Sequence, residues 1–488
     1  MRLTDLIPDA DNAHKGINIR GITADSREVD KGYLFVAIKG TSLDGHAYIT
    51  EAEKAGAAAI LAMDEPQQDV SIPMIRVEDT RLALAHAAAA FYRKQPGVIA
   101  AITGTNGKTS VAEFLRQIWE RVGWTSASIG TLGLRGKTLK TFGSFSALTT
   151  PDTVSLHEGV AMLHKEGIAT LAIEASSHGI EQHRLSGLNI CIAGFTNLSR
   201  DHLDHHADMD AYFNAKVKLF TERLRDGGVA VINIDNEHGQ RLQKMISSRP
   251  IFILTVGRHE KADLRIISVE TFAGGMTMVV SFQNTEYTLP LALIGGFQAE
   301  NALLSAGLAY GSGLAMNHAL LSLPYIRPAP GRMQSIPGHP EGGQIIIDYA
   351  HTPDALRTAL QTLRDTNPRR LGVVFGCGGN RDQGKRPEMG KIAADLADFA
   401  IVTDDNPRHE DPATIRADIR AACPKATETG DRSLAIRQGI EALGHNDILL
   451  IAGKGHEENQ LIGSETLPFS DEATVTAILG TLPQGALI

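Results

Sequence analysis

Cysteine is scarce, with Cys191, Cys377 and Cys423 the only three among 488 residues. So small and widely spaced an odd set supports neither a disulfide framework nor a cysteine-based zinc site. Positive charge is in deficit too: 47 Lys+Arg stand against 56 Asp+Glu, a formal net charge of −9. The chain therefore lacks the basic footprint that phosphate-backbone binding needs, and nucleic acid is excluded as a principal partner. No stretch approaches the roughly 18 uninterrupted apolar residues of a membrane-spanning helix. The first residues, MRLTDLIPDADNAHKG, hold no apolar core of signal-peptide length. Repeats and low-complexity segments are missing as well. With 43% hydrophobic and 21% charged residues, the balance is globular and carries no disorder signature. These absences read as a soluble cytoplasmic protein without a membrane span, of two to four domains at roughly 100–200 residues each.

What is present is a series of short apolar runs that end in glycine or polar residues: 98–103, 169–173, 190–195, 229–234, 345–347, 372–375, 399–403 and 448–452. Runs of this kind suit strands buried on both faces of a parallel sheet. Between them lie helical patterns. The clearest spans 110–122, where Val111, Phe114, Leu115, Ile118, Trp119 and Val122 form one apolar stripe. Strand–loop–helix alternation predicts a doubly wound α/β architecture. Two Pro/Gly breaks interrupt it, at Lys94-Gln95-Pro96-Gly97 after an Ala-rich helix over 81–92, and at Arg327-Pro328-Ala329-Pro330-Gly331. They divide the chain into three domains, 1–96, 97–328 and 329–488.

Gly104-Thr105-Asn106-Gly107-Lys108-Thr109 stands between the predicted strand 98–103 and the helix from Ser110. Glycines let a backbone wrap around phosphates, its N–H groups point inward, and the following helix N-terminus adds a positive dipole end. Lys108 is placed to reach β/γ-phosphates and Thr109 to offer a hydroxyl to magnesium. The first glycine of the common pattern is replaced by Ile102. Further along, Glu174 in EASSHG follows another buried run, where a carboxylate suits a nucleotide-bound magnesium. The cluster Asn197-Leu198-Ser199-Arg200-Asp201-His202-Leu203-Asp204-His205-His206 follows a third. Without cysteine, and beside a phosphate loop, it reads as magnesium binding or hydrogen bonding ahead of zinc.

With these motifs in order, the sequence resembles the Mur ligase family, the ATP-dependent amide-forming enzymes that build the peptide of bacterial cell-wall precursors. GTNGKT is similar to that family's phosphate loop. The match continues through Glu174, His202 in SRDHLD, Lys216 in YFNAKVKLF, Asn301 in GGFQAEN, Arg332 in PGRMQ and Asp348 in DYAHTPDAL. GGFQAEN departs from the family's more usual FNxxN form. The resemblance implies a smaller N-terminal UDP-binding α/β domain, a central parallel sheet of P-loop ATPase type flanked by helices, and a C-terminal Rossmann-like α/β domain that binds an amino acid. It also implies ATP contacts at Gly104, Thr105, Asn106, Gly107, Lys108, Thr109, Ser110, Asn301, Arg332 and Asp348. Magnesium falls to Thr109, Glu174, His202 and Lys216, the last carbamylated by carbon dioxide. Lys108, Glu174, His202 and Lys216 become the catalytic set. A UDP-muramoyl-dipeptide is implied at Ser26, Thr149, Thr150, Ser177, Gln182 and Arg184.

Within the family, Asp405-Asn406-Pro407-Arg408 is similar to the signature of the branch that adds meso-diaminopimelate to UDP-N-acetylmuramoyl-L-alanyl-D-glutamate. Diaminopimelate differs from lysine by a carboxylate at the far end of its side chain, which a guanidinium pairs in bidentate fashion. With lysine bound, the arginine is left unpaired. Arg381 in GCGGNRDQGKRP, and Gly453 with Glu457 in AGKGHE, complete the implied amino-acid site. The expectation is a monomeric ligase of small-molecule substrates. The rival readings are a lysine-adding or folylpolyglutamate-synthase-like sibling, and a P-loop regulatory ATPase.

Overall fold

The computed structural model describes residues 1–7, 14–40, 43–64, 69–137, 148–199, 206–272 and 274–482. It divides into two compact units, Met1–Arg265 with Leu303–Ala319, and Ile266–Ala302 with Leu320–Ile488. Among the described residues no helix is long and apolar enough to cross a membrane.

The first unit opens with four parallel strands in sequential order: β1 (Gly21–Thr23), β2 (Tyr33–Val36), β3 (Ala59–Ala62) and β4 (Met74–Arg76). Successive strand side chains point to opposite faces, and both faces are covered. Leu34 and Val36 share a core with Leu84 and Ala87 of the helix Thr80–Tyr92, while Phe35 packs with Ile49 and Ala52 of the helix Ile49–Ala55. Asp79 starts the longer helix by accepting from the N–H groups of Arg81 and Leu82, which have no partner within the helix.

The same unit holds β5 (Val98–Thr103), β6 (Ser126–Gly130), β7 (Gly133–Arg135), β8 (Thr170–Glu174), β9 (Ile190–Phe195), β10 (Val229–Asn233) and β11 (Phe252–Gly257), in the order β11-β10-β9-β5-β8-β6-β7. Every neighbouring pair is parallel except β6 with β7. β8 and β9 are buried along their whole length, as their unbroken apolar runs require. The helix Lys108–Arg121 buries Val111, Phe114, Leu115, Ile118 and Trp119, and Val122 caps it.

β12 (Leu264–Phe272) begins by pairing with β11. β13 (Gly275–Phe282) and β14 (Thr285–Leu291), an antiparallel pair, belong to the second unit. The main sheet of that unit comprises β15 (Gln334–Ile336), β16 (Gln344–Asp348), β17 (Leu371–Phe375), β18 (Phe399–Val402), β19 (Thr427–Glu428) and β20 (Ile448–Ala452), in the order β15-β16-β20-β17-β18-β19. It is parallel apart from the edge strand β15. Ile346, Val373, Phe375, Val402 and Leu450 face one core; Ile345, Ile347, Val374, Ile401 and Leu449 face the other. A hairpin of β21 (Asn459–Ile462) and β22 (Glu465–Pro468) follows. The α/β class and the buried parallel strands match the sequence reading.

Candidate functional site

In open parallel sheets, ligands bind beyond the carboxyl ends of the strands. In the first unit the expected phosphate loop follows β5, and the ends of β6, β8 and β9 supply its surroundings. Gly104 has φ +149°, and a Cβ there would stand 1.8 Å from Thr196 Oγ1. That close approach lets the end of β9 clamp the loop. Thr196 Oγ1 donates to Asn106 O at 2.6 Å, Asn106 N to Asn197 Oδ1 at 3.0 Å, and Thr105 N to Asn197 O at 2.9 Å. Gly107, at φ +86°, precedes the helix Lys108–Arg121, and a helix N-terminus of this kind favours an anion. The Lys108 ammonium curls over the loop and donates to the carbonyls of Gly104 and Thr105 at 2.9 and 2.7 Å. Ser110 is buried behind it.

Glu174 closes β8 and is 2% exposed. Thr109 Oγ1 donates to it at 3.0 Å, Thr131 N at 2.8 Å and Thr131 Oγ1 at 3.1 Å. A Cβ at Gly130 would stand 2.1 Å from Glu174 Oε1, so glycine at the end of β6 leaves room for the carboxylate. A carboxylate beside hydroxyl oxygens is a donor set that suits a hard divalent cation such as magnesium. Lys216, 1% exposed on the helix Met209–Lys218, donates to Gly104 O at 2.9 Å and lies 4.3 Å from the centre of the Tyr212 ring. His202 lies outside the described residues. Among those described, no group of three or more His, Cys, Asp or Glu is arranged to hold a metal.

Lys108 and Lys216 line a cavity of about 280 Å³ together with Leu148, Thr149, Thr150, Ser176, Ser177, His178 and Arg184. Thr150 Oγ1 donates to Glu174 O at 2.8 Å, and Arg184 donates to Thr150 O at 2.6 Å and to Gln182 Oε1 at 2.7 Å. Burial lowers the Arg184 pKa from its usual value. Ser177 Oγ lies 3.0 Å from His206 Nε2. Four of the residues expected to hold the acceptor therefore line one cavity, and Gln182 braces it. Ser26 belongs to the N-terminal sheet region, in the short turn Ser26–Glu28 that Asp25 caps. Thr131, Tyr212, Thr196 and Asn197 escaped the sequence reading. Asn197 and Tyr212 lie inside the motifs NLSRDHLDHH and YFNAKVKLF, and Thr131 and Thr196 lie outside any motif.

The second unit repeats the arrangement on β16, β20, β17 and β18. Asp348, the last residue of β16, accepts from Met333 N at 2.7 Å and Ala350 N at 2.9 Å. Burial pushes its carboxyl pKa up, against the pull of Arg332. The Arg332 guanidinium lies 4.7 Å from the Tyr349 ring centre. Burial also raises the Tyr349 hydroxyl pKa and lowers that of His351. Asn301 Nδ2 donates to the buried Gln298 at 3.0 Å.

Beyond β18, Asp405 and Asn406 are buried and Arg408 adopts φ +52°. Arg408 Nη1 donates to Gly379 O at 2.9 Å, and Gly379 N donates to Asn406 O at 2.9 Å. These bonds tie the segment after β18 to the one after β17. Glu410 reinforces the tie by accepting from Asn380 N and from the buried Arg386. Arg381 is exposed on the loop so held. Gly453, at φ +116° directly after β20, passes so close to Asp405 that a Cβ would stand 2.6 Å from its Oδ2. Asn406 Nδ2 donates to Glu457 Oε2 at 2.9 Å, bringing Asp405, Asn406, Arg408, Gly453 and Glu457 together. Burial alone would raise the Glu457 pKa, but Lys454 and Asn406 more than offset it and hold the carboxyl below its usual range. Pro407 carries the chain between Asn406 and Arg408. Cys377, whose thiol burial pushes up to about 12, is no candidate nucleophile.

Three family models match this chain in order: Mur ligase family, catalytic domain, over residues 18–92; Mur ligase middle domain over 102–309; and Mur ligase, glutamate ligase domain, over 331–455. The chain is 47% identical to a UDP-N-acetylmuramoyl-L-alanyl-D-glutamate–2,6-diaminopimelate ligase of Bradyrhizobium diazoefficiens, across 99% of each chain. It is 45% identical to the enzyme of that name from Mesorhizobium japonicum, over 98% of this chain and 99% of the other. A solved structure of a ligase so named matches at TM-score 0.73 and 32% identity, covering 98% of this chain and 99% of that one.

Proposed function

Because this chain belongs to the Mur ligase family, we propose that it joins meso-diaminopimelate to the D-glutamate γ-carboxylate of UDP-N-acetylmuramoyl-L-alanyl-D-glutamate, releasing ADP and phosphate in the cytoplasm. The γ-carboxylate attacks the γ-phosphorus of ATP and forms an acyl phosphate. The diaminopimelate amine then attacks the acyl carbon, and phosphate leaves from the tetrahedral intermediate. The first step brings two anions together. Lys108 and the loop N–H groups lower that electrostatic cost and stabilise charge on the transferring group. Magnesium, when bound, supplies further charge neutralisation there; Thr109, Glu174, His202 and Lys216 would hold it, Lys216 as the carbamate. The burial of Lys216, at 1% exposure, supports that modification, which needs the neutral amine.

Thr149, Thr150, Ser177, Gln182 and Arg184 hold the muramoyl-peptide and Ser26 its uridine end. Asn301, Arg332 and Asp348 hold adenosine and phosphates. Three family models in succession support the division into domains 1–96, 97–328 and 329–488. One observation carries the choice of amine. Arg408 is fixed through Nη1 alone, so its remaining N–H donors face no competing partner among the described residues. A distal carboxylate meets that fork in bidentate geometry, and lysine has none to offer.

The test measures phosphate release from ATP and magnesium with the UDP-dipeptide, comparing meso-diaminopimelate with L-lysine. Release and a tripeptide product with diaminopimelate alone are expected. Equal use of lysine overturns the role of Arg408. No release with either amine overturns the ligase reading.

A further inference from the structure

Lys454 belongs to none of the residue sets above, yet it is a fully buried lysine at 0% exposure inside the candidate amino-acid site. A buried ammonium is costly unless all its protons are bonded. Here each one is. Nζ donates to Glu457 Oε2 at 2.8 Å, to Asn406 Oδ1 at 3.1 Å and to Asn459 O at 2.7 Å.

These bonds decide how the two neighbouring side chains face. Asn406 Oδ1 also accepts from Leu461 N at 3.0 Å, so both of its lone pairs are engaged. Its amide orientation is thereby set, and Nδ2 is aimed at Glu457 Oε2. Glu457 Oε2 thus takes two donors, from Lys454 and Asn406, and Oε1 takes none among the described residues. We propose that Lys454 is a positioning residue for the amine substrate: by binding Oε2 and turning the Asn406 amide, it leaves Glu457 Oε1 as the acceptor for a substrate ammonium. Lys454 touches no substrate itself.

This inference rests on the diaminopimelate reading, so the unsubstituted enzyme is measured first. If it makes no tripeptide with diaminopimelate, that reading fails independently of Lys454. Two variants then follow, Lys454→Gln and Lys454→Met, one polar and one apolar, so that the test does not hang on the folding of a single substitution. The expected result is a KM for diaminopimelate raised at least tenfold. KM for ATP and for the UDP-dipeptide should stay within about twofold, a split that general loosening of the domain would not produce. In a Glu457→Gln background the Lys454 substitutions should change the diaminopimelate KM less than about threefold, because their effect runs through that carboxylate. An unchanged KM for diaminopimelate overturns the proposal. So does the same fold-change in both backgrounds, or a rise in all three KM values together. Loss of the folded state in both variants, seen by circular dichroism, assigns Lys454 to stability and equally overturns it.

Discussion

The Arg408 side chain shows how one residue's chemistry depends on its backbone. At φ +52° it sits where non-glycine residues are uncommon, held by backbone pairing of Arg408 N with Leu461 O at 3.0 Å and of Gly463 N with Arg408 O at 2.6 Å. Those backbone bonds hold the conformation and present a guanidinium anchored at one nitrogen. Arg408→Lys keeps the charge but loses the planar fork. We expect the KM for diaminopimelate to rise roughly 10- to 100-fold, the ~1.5–3 kcal/mol of a charge-assisted hydrogen bond, with no gain of activity toward lysine. Steady-state kinetics with both amines checks this. Asp405-Asn406-Pro407-Arg408 drew attention to Arg408 in the sequence only through its resemblance to a family signature and the company of Arg381, Gly453 and Glu457; the tetrapeptide alone reads equally as a turn. Lys454 gave no such signal, although it lies within AGKGHE: two of its bonds stay within five residues, but the one to Asn406 spans 48 positions, and a buried lysine looks like an exposed one in a string of letters.

Among the elements, the turn joining β5 to the helix Lys108–Arg121 shows the same division. Its strand, glycines and amphipathic helix follow from apolar runs and spacing. The clamp from Thr196 and Asn197 does not, because it joins segments about ninety positions apart. Thr131 was equally hidden, since only the parallel pairing of β6 with β8 brings it to Glu174. β12 to β14 and the hairpin of β21 and β22 leave no such trace in the sequence, for their alternating or exposed residues form no continuous buried run. The clamp makes a sharp demand on Gly104. Gly104→Ala should reduce phosphate release to near background, because its Cβ meets Thr196 Oγ1 and its φ resists any side chain. Gly97→Ala, whose nearest neighbour would be a carbonyl 3.8 Å away, should leave activity within about twofold. Paired assays of the two purified variants, with far-ultraviolet circular dichroism to verify folding, distinguish a local effect from a global one.

For the molecule as a whole, stability should depend on pH through a histidine remote from the phosphate loop. His157, on the helix Thr153–Lys165, is 2% exposed with Nε2 3.0 Å from Ser186 O, and burial pushes its pKa down to about 4. An unfolded histidine titrates near 6.5. Between those values the unfolded chain binds a proton that the native one refuses, so stability is full above pH ~6.5 and declines as pH falls toward 4. The maximum loss is about 3 kcal/mol from this one group. Urea unfolding across pH 4–8 should show that slope, and His157→Gln should flatten it; an unaltered slope in the variant refutes the assignment. The passage of Gly453 beside Asp405 has a consequence of another kind, one for inheritance. Two positions 48 apart in sequence cannot vary independently, since any side chain at 453 requires both a new backbone path and a shorter residue at 405. The constraint runs one way, since a shorter residue at 405 leaves Gly453 undisturbed, so across related genomes glycine should be kept at 453 wherever aspartate stands at 405.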